Sequence, residues 1–122
     1  MSKVLVVDDL STELEMICRI LQDAGISVER ARDGEEAIDL IQASPPDLVI
    51  LDVVMPGMNG FEVVRELRKH EKTKNLLIVF CTQKNTNIDK IWGMDIGADA
   101  YITKPFEPKQ LVDIVKKLIS NR

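Results

Sequence analysis

Residues 46 to 60 read PDLVILDVVMPGMNG. Leu48, Val49, Ile50 and Leu51 are apolar without alternation, the pattern of a strand covered on both faces. Asp52 interrupts the run, and Val53, Val54 and Met55 follow it. A carboxylate beside so much apolar surface costs free energy unless something pairs with it. The stretch therefore poses both the fold and the chemistry: a buried strand, and a charge placed at its end.

Four further runs have strand character, so the five are KVLVV (3–7), ISVERA (26–31), DLVIL (47–51), LLIVFC (76–81) and DAYIT (99–103). The second alternates, with Ile26, Val28 and Arg30 on one side, and is expected nearer an edge. Helical patterns lie between the runs. Residues 12–24 carry Leu14, Ile17, Cys18 and Leu21 on one stripe, with Thr12 and Glu15 placed as a capping box and Gly25 as the stop. Asp33 with Glu36, and Asn59 with Glu62, repeat the capping pattern ahead of the next two helices. Residues 86–96 carry Ile88, Ile91, Trp92 and Ile96 as a stripe, and Trp92 is expected to pack in the core. Pro108 opens the last helix, whose stripe is Leu111, Ile114, Val115 and Leu118.

The order is strand–helix five times over, at a spacing that suits βαβ units. Parallel strands need such crossovers. The expected fold is α/β: a five-stranded parallel sheet with helices on both faces, a doubly wound three-layer sandwich.

A chain of 122 residues fits one domain, and no linker, repeat or low-complexity tract divides it. The net charge of −4 argues against a broad nucleic-acid-binding surface. MSKVLVVDDL is not a signal peptide, and no stretch approaches the ~20 apolar residues of a membrane span. Cys18 and Cys81 lack metal-ligand spacing and read as free buried thiols of a cytoplasmic protein. The single histidine, His70, lies in a solvated charge run and is assigned no role.

In an open parallel sheet, sites form beyond the carboxyl ends of the strands. Those ends carry Asp8 and Asp9, Asp52, Thr82, and Lys104 with Pro105. Taken singly, each acid could equally cap a turn or a helix. Together, the three carboxylates repel one another, and Lys104 with a divalent cation would bring the formal charge to zero. Hard oxygen donors on a loop rim favour Mg²⁺, with Mn²⁺ as a substitute. A carboxylate, a hydroxyl, an ammonium and Mg²⁺ suit phosphoryl transfer, where positioning and charge neutralisation do most of the work. Asp52, on the middle strand by chain order, is the best candidate for a nucleophile that becomes an aspartyl phosphate.

The segments VLVVDD, DLVILDVVMPGMNGFEVVRELR, CT and GADAYITKPF together resemble the receiver domains of two-component response regulators, the chemotaxis type. The resemblance runs from Lys3 to the last helix. It implies a flavodoxin-like fold with strand order 2-1-3-4-5, and a single receiver domain over 1–122 without an output domain. It implies that Asp52 takes a phosphoryl group from a histidine kinase or phosphotransfer protein. Asp9, Asp52 and the backbone carbonyl of Val54 would bind Mg²⁺ directly, and Asp8 through water. Lys104 would pair with the phosphoryl oxygens across a cis Lys104–Pro105 bond. Thr82 and Tyr101 would form the switch, although position alone reads Tyr101 as a half-buried strand aromatic with its hydroxyl in water. Output would pass through the last strand and its two flanking helices to a protein target, without DNA binding or membrane insertion, from a monomer. TQKNTNIDKIWGMDIGADAYITKPF further resembles receivers of chemosensory systems for twitching or type IV pilus motility.

Two residues depart into positions that vary in such receivers. Val54 lies two after Asp52, and Lys84 two after Thr82. Both border the route of attacking water and are expected to tune phosphoryl lifetime, Lys84 by slowing hydrolysis. A haloacid-dehalogenase-type phosphatase would need a second Asp where Val54 stands. A flavodoxin-like electron carrier would need a Ser/Thr/Gly phosphate loop where VVDDLSTELE stands.

Overall fold

The computed structural model describes residues 2–121. The chain runs β1 (Lys3–Val7), α1 (Ser11–Asp23), β2 (Ser27–Ala31), α2 (Gly34–Ala43), β3 (Leu48–Leu51), α3 (Gly60–Arg68), β4 (Leu77–Thr82), α4 (Asn87–Asp95), β5 (Ala100–Thr103) and α5 (Pro108–Ser120). The strands form one sheet in the order β2-β1-β3-β4-β5, and every pairing is parallel. β2, the alternating run, is an edge strand, and β3 is central.

Successive side chains on a strand point to opposite faces. Leu5 and Val7, Val49 and Leu51, and Ile78 and Phe80 pack against Ala37 and Ile41 of α2 and Val63, Val64 and Leu67 of α3. Val4 and Val6, Leu48 and Ile50, and Val79 and Cys81 meet Leu14, Ile17, Cys18 and Leu21 of α1 and Leu111 and Val115 of α5. The unbroken apolar runs therefore serve two cores at once. Full burial of a Leu or Ile is worth roughly 1.5–3 kcal/mol, so these two layers supply most of the drive to fold.

The helix starts follow the sequence pattern with one exception. Asp33 accepts from the Glu36 amide at 2.8 Å. Asn59 and Glu62 form the full capping box, at 2.9 and 3.0 Å. Thr86 and Asp89 form another, unforeseen, at the start of α4. The expected box of Thr12 and Glu15 does not form: α1 begins at Ser11, Leu10 is its N-cap, and no side chain caps it. Asp8 accepts instead from the Leu10 amide at 3.0 Å, which starts the helix earlier. Glu15 is drawn away to Arg30, at 2.7 and 3.1 Å.

The stripe assigned to α4 is also corrected. Trp92 is 60% exposed, Ile88 58% and Ile91 56%, and Gly93 is the buried residue of that helix. The helix rests on the sheet through a residue without a side chain, so Ile88, Ile91 and Trp92 face outward, while Ile96 at its C-terminal end packs against the core as expected.

Two acids outside the strands pin the amino edge of the sheet. Asp47 accepts from the Lys3 amide at 2.7 Å, and Asp99 from the Ile78 amide at 2.8 Å. Arg68 reaches from the end of α3 to the carbonyls of Lys74, Leu76 and Gly97 at 3.0, 2.7 and 2.5 Å, tying the loops before β4 and β5 together. The opposite, carboxyl edge is left open for chemistry.

Candidate functional site

Parallel strands all end on one side, so the acids after β1, Asp52 after β3, Thr82 at the end of β4 and Lys104 after β5 arrive at one edge. The backbone continues the sheet's bonding into this rim. The Asp8 amide donates to the Ala31 carbonyl at 3.2 Å, the Asp52 amide to Val7 at 3.3 Å, and the Lys104 amide to Thr82 at 2.8 Å. Each side chain is thus carried by ordered backbone rather than by a free loop.

Lys104 is the hub. Its Nζ donates to Asp8 Oδ2 at 2.7 Å and to Asp52 Oδ2 at 3.0 Å. The three side chains are only 5%, 1% and 9% exposed, so this is a buried three-centre ion pair. Burial works against the ammonium charge, but the hydrogen bonds to Asp8 and Asp52 outweigh it and raise the Lys104 pKa. The other carboxylate oxygens are satisfied locally. Asp8 Oδ1 takes the Leu10 amide, and Asp52 Oδ1 takes the Val54 amide, both at 3.0 Å. The Lys104–Pro105 peptide bond is cis.

Beside this pair lies a cavity of about 170 Å³ lined by Asp9, Leu10, Glu13, Asp52, Val54, Thr82, Gln83 and Lys104. Asp9 is half-buried and carries no hydrogen bond among the described residues. The donor chemistry fits a hard divalent cation. Asp8, Asp9 and Asp52 against Lys104 leave two negative charges, Glu13 in the lining adds a third, and oxygen donors at a loop rim suit Mg²⁺, which keeps several waters and uses few protein ligands. Among the described residues no three side chains of ligand type converge as a ready cage, which agrees with Asp8 being turned toward Lys104.

Thr82 is fully buried, and its Oγ1 accepts from the Lys84 amide at 3.3 Å. Tyr101 donates its hydroxyl to the Lys84 carbonyl at 2.7 Å. Its ring is tilted against Phe80, 5.9 Å between centroids. Burial, then the charges of Asp89 and Asp52, push the Tyr101 phenol up to about 12. The hydroxyl expected from position to sit in water is instead bonded to backbone. Lys84 enters this relay by its backbone, while its side chain is exposed and outside the cavity lining.

Glu13 and Gln83 line the cavity but were not singled out in sequence. Glu13 is the acid in the first turn of α1, which begins two residues after Asp9, so its nearness to the strand end was the signal available. Gln83 simply follows Thr82, and nothing in its pattern marks it.

An open parallel sheet in this order, with a carboxylate–lysine cluster where nucleotide folds have a phosphate loop, defines a flavodoxin-like domain built around acidic chemistry. The family model for the response regulator receiver domain matches residues 4–116, and the chain belongs to that family. Protein PilH of Pseudomonas aeruginosa is 34% identical over 120 residues, which span 98% of this chain and 99% of PilH. The chemotaxis response regulator CheY4 of Vibrio cholerae superposes with a TM-score of 0.90 at 38% identity, covering 97% of this chain and 98% of that one. The receiver domain of Francisella response regulator 1452 gives 0.93 at 31% identity, covering 99% and 98%. This is a receiver of the two-component signalling class, with CheY-like architecture. No helix among the described residues is long and apolar enough to cross a membrane.

Proposed function

We propose that this receiver accepts a phosphoryl group on Asp52. The donor is the phosphohistidine of a histidine kinase or phosphotransfer protein. The observation that carries this reading is Lys104 bridging Asp8 and Asp52 beside an acidic cavity. The bridge holds one Asp52 oxygen toward a cation, where a transferred group's charge would be balanced.

Asp9 and Asp52, with the Val54 carbonyl, would hold Mg²⁺, and Asp8 would do so through water. The ion would supply charge neutralisation for an in-line displacement. Lys104 then pairs with the phosphoryl oxygens. Phosphorylation adds about −1.5 to −2 charges, enough to draw both Lys104 and the Thr82 hydroxyl. Tyr101 reads the state of Thr82 through the Lys84 backbone, to which both are bonded. The chain is a phosphoacceptor that acts on its own phosphoryl group, and turns over no separate substrate.

Output passes through β5, α4 and α5 to a protein target rather than to DNA. The outward apolar residues of α4, Ile88, Ile91, Trp92 and Met94, support that assignment. The PilH similarity supports placing the chain in a cytoplasmic chemosensory system of the twitching or type IV pilus kind. Val54, in place of a second Asp, speaks against a phosphatase of the haloacid-dehalogenase type.

The test is intact mass after incubation with Mg²⁺ and a small acyl-phosphate donor. A labile phosphate adduct is expected in wild type and none in Asp52→Asn. An adduct that survives Asp52→Asn, or none in wild type, overturns the assignment. Lifetime gives a second check. Lys84 is proposed to slow hydrolysis by laying its ammonium over the phosphoryl oxygens. Lys84→Ala should then lose phosphate about two- to fivefold faster, the scale of one partly screened charge. An unchanged or slower rate removes that role.

A further inference from the structure

Glycine inside a helix is unfavourable relative to alanine, so it needs a reason to be there. Gly93 lies in the last turn of α4, and it is the buried residue by which that helix meets the sheet. A β-carbon built on it would stand 2.8 and 2.9 Å from Cδ2 and Cε2 of Tyr101, and 3.2 Å from Cδ2 of Phe80. Contacts that short force one side to move, and the Phe80 ring is locked in the core at 0% exposure. The Tyr101 ring has somewhere to go, because β5 is an edge strand.

We propose that Gly93 is a positioning residue for Tyr101: by presenting no β-carbon, it lets the ring lie inward beneath α4 with its hydroxyl on the Lys84 carbonyl. The inward state is then populated before any phosphoryl group arrives, and residue 93 sets how much of it there is. A pre-existing equilibrium of this kind is what a phosphoryl group would bias. The consequence for signalling rests on the switch reading given above. The geometric claim does not.

Tyr101 is the single tyrosine of the chain, so its phenol can be followed alone. The ¹³C-labelled Cζ resonance is read between pH 9 and 11 in wild type and Gly93→Ala, with amide spectra confirming that both stay folded. With its phenol near 12, wild type should be only about one tenth ionised at pH 11. A displaced ring should titrate nearer the ordinary value of ~10 and be about nine tenths ionised there. If the α4 amides shift while the phenol holds its wild-type titration, the glycine serves helix packing alone and the proposal fails.

A stability cycle keeps the idea testable if Gly93→Ala folds poorly. In a Tyr101→Ala background the two contacts under 3 Å are gone and only the 3.2 Å approach to Phe80 remains, so Gly93→Ala should lower the urea midpoint less than in the native background, or raise it through helix propensity. In the native background it should lower it or leave it level. The same shift in both backgrounds, or failure to fold in both, overturns the proposal. An acyl-phosphate adduct on wild type is scored separately. Its absence would count against the phosphoacceptor reading and leave the Tyr101 result standing.

Discussion

Replacing Gly60 with alanine is expected to destabilise the protein by about 3 kcal/mol, the upper end for overpacking a tight site. Gly60 is the first residue of α3 and its amide donates to the Val53 carbonyl at 2.8 Å. A β-carbon there would press on the Asp52 carbonyl oxygen, and would lie 2.9 Å from Val53 Cα. These are backbone atoms, which cannot rotate away as a side chain can. Helix propensity alone would make alanine the better residue by up to about 1 kcal/mol, so the predicted sign is the reverse of the local one. The strain falls on the residue that carries the proposed phosphoacceptor. Urea unfolding should show the loss of stability, and adduct formation at Asp52 should fall with it. A variant as stable as wild type would show that the loop after β3 yields freely, contrary to its packing.

Lys104→Met should cost about 3–5 kcal/mol at neutral pH without divalent metal, the range for removing one partner of a buried ion pair. Methionine approximates the unbranched stem of lysine as far as Cε and removes the ammonium with its charge and donors. Asp8 and Asp52, buried to 1% and 9% exposure, would then face each other with no cation between them. Added Mg²⁺ should restore part of the loss by binding the folded state, in proportion to the logarithm of its concentration. Adduct formation should fall about 10²-fold even at saturating metal, since one fixed positive charge is missing where phosphoryl charge develops. The wild-type pH dependence follows from the raised Lys104 pKa. A group with its folded pKa raised contributes fully below its unfolded value of ~10.4 and loses that contribution as pH rises past it. The bridge should therefore be insensitive to pH through the neutral range and weaken only in strong alkali. A Lys104→Met protein of wild-type stability in chelator would show that the carboxylates do not need the ammonium.

The architecture was legible because it rests on repeated, local signals. Apolar runs without alternation mean two-sided burial, and the connections between them are long enough for crossover helices. The alternating ISVERA run was readable as an edge for the same reason. The candidate site was legible one step later: parallel strands end together, so residues 40 to 50 apart, such as Asp8 and Asp52, can be gathered at one edge by topology alone. Where reading failed, the deciding contacts were not local. The box of Thr12 and Glu15 looked sound in sequence, but Arg30 on β2 took Glu15 and Asp8 took the Leu10 amide. Trp92, with Ile88 and Ile91, faces outward, because the helix docks through Gly93.

The sequence by itself determined the order of elements, the two-layered core and the set of groups available for chemistry, since propensity, periodicity and strand ends are properties of neighbours along the chain. Only the tertiary structure decided how those groups are shared. It set Lys104 between Asp8 and Asp52, left Asp9 facing the cavity, and joined Thr82 to Tyr101 through the Lys84 backbone. Such choices depend on distances between residues far apart in the chain. A buried ammonium goes to whichever carboxylates the folded backbone brings within hydrogen-bonding reach.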